Sequence, residues 1–252
     1  LTSRYYKKPK KSRFSLWCKE GKIEVNNIEK IKINVNKLNH ITNTYVVFDS
    51  NKIGVLIDPA DEVEKIIECI TRNKVELKYV FISHAHADHI GALEGIVKRF
   101  GAEVLVSKED YSMQFCNDKN CSKMLGNMDI NISPEVKEKI KTIKDGEIFK
   151  AGEISLEVIS TPGHTKGSVC FYEAKDKVIF TGDTIFSNCC GRCDLATSSM
   201  DDMIVSLNKI FDKFENIKNE LKVYPGHGQL SSLEVSEKNI KLYLAITKGF
   251  NL

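Results

Sequence analysis

Apolar and polar positions alternate over Lys30–Val35 (Lys-Ile-Lys-Ile-Asn-Val), the period of a strand with one buried face. Two β-branched runs follow, Thr44–Asp49 and Lys52–Ile57. Ser50-Asn51 separates them, which predicts a hairpin, and Asp58-Pro59 closes it. The period then changes: Val63, Ile66, Ile67 and Ile70 recur at helical spacing from Asp61 to Ile70, with Asp61 or Pro59 marking the start. Leu77–Ile82 is uninterrupted apolar sequence and reads as a buried strand, Ser83–His89 as a loop, Gly91–Phe100 as a short helix ended by Gly101, and Val104–Val106 as another strand. Residues 114–136 have no period and read as a surface excursion. Strands are predicted at Ile154–Ser160, Ser168–Glu173 and Lys177–Thr181, with a turn at Ala174–Asp176. Met200–Phe214 is an amphipathic helix with Met203, Ile204, Leu207, Ile210, Phe211 and Phe214 on one face. Lys222–Tyr224 is a short strand ending in Pro225-Gly226, and Leu233–Thr247 a final helix. This order predicts an α/β protein with helices packed outside two sheets.

Composition narrows the classes. The 252 residues can bury a large core without disulfides. No apolar run approaches the roughly 20 residues that span a bilayer, so no membrane partner is expected. The eight cysteines mostly lie in different segments and read as reduced thiols, which points to the cytoplasm. Net charge is +3, yet Arg4, Lys7, Lys8, Lys10, Lys11 and Arg13 cluster without an acid, which leaves the remaining chain net negative. Nucleic acid is therefore not an expected partner. Residues 1–28 read as a basic tail and residues 29–252 as the folded domain. The tail is read as a solvated terminus. A weak electrostatic tether is a second reading, and the remnant of a leader, which would place the protein in an organelle, a third.

The candidate chemistry sits where strands end. Three of the six histidines fall in Ser83-His84-Ala85-His86-Ala87-Asp88-His89, directly after a buried strand. Extended backbone puts His84 and His86 on one side, and the following turn brings Asp88 and His89 to the same space. His164 follows Thr161-Pro162-Gly163, His227 follows Tyr224-Pro225-Gly226, and Asp183 follows Phe180-Thr181-Gly182. A single histidine is more often a packing or surface residue. Five histidines and two aspartates at strand exits instead point to a metal site, because imidazole and carboxylate suit Zn, Fe or Mn. His40, apart from these, reads as a solvated loop residue.

These segments resemble the metallo-β-lactamase fold superfamily, and more narrowly its short glyoxalase II-like hydrolases. The resemblance spans about residues 30–240. It rests on Ile57-Asp58-Pro59, His84–His89, Thr161–Thr165, Thr181–Thr184, Cys190-Gly191-Arg192-Cys193-Asp194 and Tyr224–Gly228. It implies an αββα sandwich with the metal site along one edge of the sheets, and two divalent ions, zinc foremost and iron or manganese also compatible. His84, His86 and His164 would hold the first ion, Asp88, His89 and His227 the second, and Asp183 would bridge them together with a nucleophilic hydroxide. Asp58 would orient a ligand. Asp88 and Asp183 are the catalytic candidates, Asp88 by taking a proton as the intermediate breaks down. The implied reaction is hydrolysis of a small-molecule thioester, such as an S-acylglutathione, to acid and thiol.

Arg192 fits a basic position that could receive a substrate carboxylate, while a salt bridge at the rim is the competing reading. Cys193-Asp194-Leu195 stands where the family carries an aromatic. Cys190-x-x-Cys193 reads as incidental, and Cys116 and Cys121 have no nearby histidines for a structural zinc. Three rival functions are a mononuclear iron persulfide dioxygenase, against which Gly226 and Gly228-Gln229 argue, a nuclease of the same superfamily, against which the acidic body of the chain argues, and a non-catalytic metal-binding module, against which the complete ligand set argues; the Cys190-Gly191-Arg192 stretch argues against a β-lactamase as well.

Overall fold

The computed structural model describes residues 26–113 and 118–249. Residues 1–25 of the expected tail, and Cys116, lie outside them; Asn27 and Ile28, which the sequence reading left in the tail, instead begin the first strand and pair with Phe48 and Val47. Strands β1 (Asn27–Val35), β2 (His40–Phe48), β3 (Ile53–Ile57), β4 (Glu76–Phe81), β5 (Glu103–Ser107) and β6 (Ile140–Ile143) form one six-stranded sheet in that order. The second sheet runs β7 (Ile148–Ala151), β8 (Ile154–Ser160), β9 (Val169–Glu173), β10 (Val178–Gly182), β11 (Lys222–Pro225) and β12 (Ser231–Ser232). Helices α1 (Val63–Arg72), α3 (Leu93–Phe100) and α5 (Pro134–Lys137) accompany the first sheet; α6 (Met200–Phe214) and α7 (Leu233–Lys248) accompany the second. Two short turns of helix, α2 (Ala87–Ile90) and α4 (Lys108–Tyr111), follow β4 and β5.

The four layers follow from strand alternation. Tyr45, Val47, Val55, Ile57, Phe81 and Leu105 face the second sheet and meet Leu156, Val158, Phe171 and Phe180 there. Their neighbours Val46, Leu56, Val80 and Val104 point the other way, into the cluster that Ile66, Ile70, Leu93 and Ile96 complete. On the far side, Cys170 and Ile179 meet Met203, Leu207, Ile210, Phe211 and Leu244. Both sheets are thus buried on both faces, as the expected αββα sandwich requires.

Several expectations need adjustment. The Ser83–His89 segment is not all loop, because Ala87–Ile90 closes a helical turn. Residues 118–132 are not a mere surface excursion: Asn120, Ser122, Ile130 and Ile132 are buried, and the Asn120 carbonyl accepts the backbone N–H of Ala87 at 2.7 Å. Strands β6 and β7 escaped the sequence reading, because four residues at a sheet edge give too short an alternation to register.

Pairing gathers the strand ends at one edge. β3, β4 and β5 run parallel, with Ile57 opposite Phe81 and Phe81 opposite Leu105. β10 and β11 are also parallel. β2 is antiparallel to β3, so its first residues lie beside the ends of the others.

Phe171 is fully buried between the sheets, its ring centroid 4.9 Å from that of Phe81. Phe171→Ala is expected to cost about 3–5 kcal/mol, the range for phenylalanine deletion in a close-packed core. Urea unfolding checks this; a loss below about 1 kcal/mol would contradict close packing of the inter-sheet layer.

Candidate metal centre

Every sequence-predicted ligand reaches one edge of the sandwich. His84, His86, Asp88, His89, His164 and Asp183 are buried there, and His227 is partly open to solvent. The donor atoms of His84, His86 and His164 all lie within 4.8 Å of one another, as do those of His84, His89 and Asp183. Asp183 stands between the groups: its Oδ2 is 3.5 Å from His164 Nε2 and 3.3 Å from His227 Nε2, and its Oδ1 is 3.5 Å from His89 Nε2. Asp88 Oδ2 is 3.4 Å from His227 Nε2 and 3.7 Å from His89 Nε2.

The outer hydrogen bonds fix which ring nitrogen is left to bind. His164 Nδ1 donates to the Arg192 carbonyl at 2.9 Å, and His227 Nδ1 to the Ile41 carbonyl at 2.7 Å. His89 Nδ1 donates to Asp58 Oδ2 at 3.0 Å. Asp58 also accepts the backbone N–H and the hydroxyl of Ser83, each at 2.7 Å, and the Ser83 oxygen in turn accepts His84 Nδ1 at 3.1 Å. A nitrogen that donates to an oxygen carries the proton, so the opposite nitrogen of each of these four rings presents a lone pair whenever the ring is neutral. His86 is the exception, with Nδ1 turned to His164 Nε2 at 2.9 Å. Among the described residues, the buried Nε2 atoms of His84, His86 and His89 and Oδ1 of Asp183 have no hydrogen-bond partner. Such orphaned buried atoms are costly, and a cation would satisfy the lone pairs together. The donor set therefore fits divalent metal.

The electrostatics make the same demand. Burial opposes ionisation of Asp88 and Asp183, but the neighbouring histidines outweigh it and hold both well below the usual carboxylate range. Burial also opposes a charge on His227, yet Asp183 and Asp88 outweigh it and push its pKa up to about 11. His89 is raised for the same reason. Burial drives His86 down to about 3, with His164 adding to the effect, and drives His84 well below its ordinary value. The carboxylates thus call for positive charge, while the innermost imidazoles stay neutral as ligands must.

Three supporting residues had been missed. Asp110, buried on α4, accepts the backbone N–H groups of Ala85 at 3.0 Å and Gly167 at 2.9 Å and the hydroxyl of Thr165 at 2.8 Å. It joins the histidine segment to the loop that carries His164. Asn43 and Tyr45 on β2 donate to the Pro225 carbonyl at 2.8 and 2.7 Å and anchor the His227 loop. An aspartate opening a helix, or an asparagine within a β-branched run, is a faint signal in sequence. His40 corrects the solvated-loop reading: it starts β2, and its Nε2 lies 2.8 Å from Asp88 Oδ2. Gly226 is required by space, since a Cβ there would sit 2.4 Å from Asp183 Oδ1 and 2.7 Å from His89 Cε1.

The centre opens into a cleft of about 110 Å³ whose wall includes His40, Cys121, Met124, Leu125, Arg192 and Leu195. Arg192 is exposed, and its guanidinium pairs with Asp194 through two contacts of 2.7 and 2.8 Å. Among the described residues no cysteine is in a disulfide, those of the Cys190–Cys193 stretch included. No helix among the described residues is long and apolar enough to cross a membrane.

The chain belongs to the metallo-beta-lactamase superfamily, whose model matches residues 39–227. It is 29% identical over 191 residues to hydroxyacylglutathione hydrolase GloC of Haemophilus influenzae, spanning 76% of this chain and 87% of that protein. The crystal structure of the BLEG-1 B3 metallo-beta-lactamase superposes with a TM-score of 0.72 at 26% identity, covering 83% of this chain and 97% of that one. That of TTHA1623 in a di-iron-bound form gives 0.67 at 25% identity, covering 80% and 95%.

Asp110→Ala removes the acceptor shared by two ligand-bearing loops. It is expected to weaken metal affinity by about 10- to 100-fold, the effect of losing a group that orients ligands. Chelator competition reads it, and unchanged affinity would leave Asp110 with a folding role alone.

The pH dependence has two arms in protein stripped of metal. His86, driven down to about 3, and His84, driven well below its ordinary value, let the unfolded chain bind protons first, so stability falls as pH drops below roughly 6.5. His227 works the other way: its contribution is full below roughly 6.5 and is lost as pH rises toward its folded value of about 11. A bound divalent cation takes the place of the His227 proton and should abolish the alkaline arm only. Thermal melts with and without metal check this; an alkaline arm that survives loading would contradict it.

Proposed function

We propose that the protein is a metal-dependent thioesterase of the glyoxalase II type, converting an S-acylglutathione or similar small thioester to acid and thiol. The observation that carries this reading is the convergence of histidine lone pairs and the Asp88 and Asp183 carboxylates on one small cleft with a guanidinium on its wall. In this reading His84, His86 and His164 hold one divalent ion, and Asp88, His89 and His227 a second, with Asp183 between them. Zinc comes first, and iron and manganese also suit these donors. When bound, the ions supply an activated water and a Lewis acid for the carbonyl oxygen.

The chain's own residues do the rest. Asp58 turns His89, and the Arg192 carbonyl turns His164, so that each lone pair faces inward. Asp88 is held ionised among His40, His89 and His227, which suits a ligand better than the proton acceptor first envisaged. A thiolate leaves readily, so no strong acid is needed beside it. Space of about 110 Å³ takes a small acyl group and leaves the thiol portion over the rim, where the Arg192 guanidinium can exchange Asp194 for a substrate carboxylate. An exposed pair of this kind is worth little, whereas a bound substrate that covers the guanidinium excludes water and strengthens the new contact. Likeness to the GloC hydrolase supports thioester chemistry; likeness to the BLEG-1 lactamase makes β-lactams the control substrate.

The metal-loaded protein is expected to hydrolyse thioesters in preference to β-lactams, phosphodiesters and persulfides. A charged contact of about 1.5–3 kcal/mol predicts that Arg192→Ala lowers kcat/KM about 10- to 150-fold for acidic thioesters and little for neutral ones. Equal losses on both would make Arg192 structural. Oxygen uptake on glutathione persulfide without thioester hydrolysis would transfer the assignment to the dioxygenase.

A further inference from the structure

We propose that His40 is an additional side-chain ligand of the second metal ion, beside Asp88 and His227. This rests on the binuclear reading above and adds a donor to it. His40 opens β2, whose antiparallel pairing with β3 brings its first residues to the edge where Asp58 leaves the sheet. From there the imidazole reaches over Asp88.

Two features of the geometry match ligation. The first is donor spacing. Ligand bonds of roughly 2.0–2.2 Å place two donors on one ion about 2.9 Å apart at a right angle and about 3.4 Å apart at the tetrahedral angle. His40 Nε2 is 2.8 Å from Asp88 Oδ2, His227 Nε2 is 3.4 Å from the same oxygen, and all three donors lie within 4.8 Å of one another. The second is ring packing. The His40 and His227 centroids are 4.8 Å apart and edge-on, like the pairs His84–His86, His84–His164 and His86–His164 at 4.7, 4.8 and 4.6 Å. The His40–His227 separation thus matches those among the three histidines of the first site, with an interplanar angle of 64° against 80–89°.

The extra donor changes which ion the second position prefers. Asp88, His89, His227, Asp183 and His40 together exceed the four ligands that zinc takes in a tetrahedral site. Iron and manganese accept five or six ligands, so His40 biases this position toward them and leaves the three-histidine position suited to zinc.

The test uses the full chain and His40→Ala, with His40→Gln to preserve a hydrogen bond to Asp88 without an imidazole. Metal content and chelator competition are measured with Zn(II), Mn(II) and Fe(II), and visible absorption with Co(II). Wild type should hold two ions. His40→Ala should keep one tight and loosen the other about tenfold or more, most for Mn(II) and Fe(II). Its Co(II) bands should intensify as the coordination number drops, and His40→Gln should behave alike. Unchanged affinity and spectrum in His40→Ala, or full recovery in His40→Gln, would mean that His40 only hydrogen-bonds Asp88, with the binuclear reading intact. A single ion in wild type would overturn that reading and this inference with it.

Discussion

Three carboxylates, Asp58, Asp88 and Asp183, are buried together where the two sheets meet, and the site depends on how they are balanced. A buried anion needs donors or cations around it. Asp58 obtains them from the Ser83 backbone, the Ser83 hydroxyl and His89. Among the described residues Asp88 and Asp183 have no comparable set of backbone donors; besides the Thr42 hydroxyl, 3.4 Å from Asp88, their neighbours are imidazole nitrogens at 2.8–3.7 Å. The field they create raises His89 and His227 and attracts cations, while burial keeps His84 and His86 neutral. Metal binding is the arrangement that satisfies both demands at once.

The sandwich holds this arrangement by tying its halves together close to the site. The Pro225 carbonyl, at the end of a strand in the second sheet, accepts Asn43 and Tyr45 from the first. Asp110 joins the segment after β4 to the loop after β8. Asp58 itself takes a left-handed backbone conformation, with φ near 52°. That conformation is uncommon outside glycine, and more tolerable for aspartate than for most residues. It turns the carboxylate under Ser83 and His89 instead of into the core. Buried polar contacts are dense around the candidate ligands, and the helical layers outside are conventional apolar packing.

The hydrophobic pattern determined much of the architecture. Alternation and β-branched runs located β1–β3, β8–β10 and the exits that carry chemistry, because a strand buried on both faces leaves a long apolar signature. The histidine and aspartate segments after those strands marked the candidate ligands and the superfamily. A candidate cluster is local in sequence only where one loop supplies it, as His84–His89 does, and its distant members His164, Asp183 and His227 were legible through their Pro-Gly and Gly-Asp turns.

What the tertiary structure alone decided is the company these residues keep. His40 looked like a solvated histidine because nothing near it in sequence suggests metal chemistry; antiparallel pairing brings it against Asp88, forty-eight residues away. Asp110, Asn43 and Tyr45 gain their roles the same way, from contacts between separate sheets and loops. Residues 118–132 looked like a surface excursion because their packing against α2 and the cleft follows no period. Arg192 divides into two roles that sequence could not separate, a carbonyl that fixes His164 and a guanidinium paired with Asp194 at the rim. Periodicity reports which face of an element is buried, but not which distant polar groups meet there; that depends on strand order and register, which only the folded chain sets.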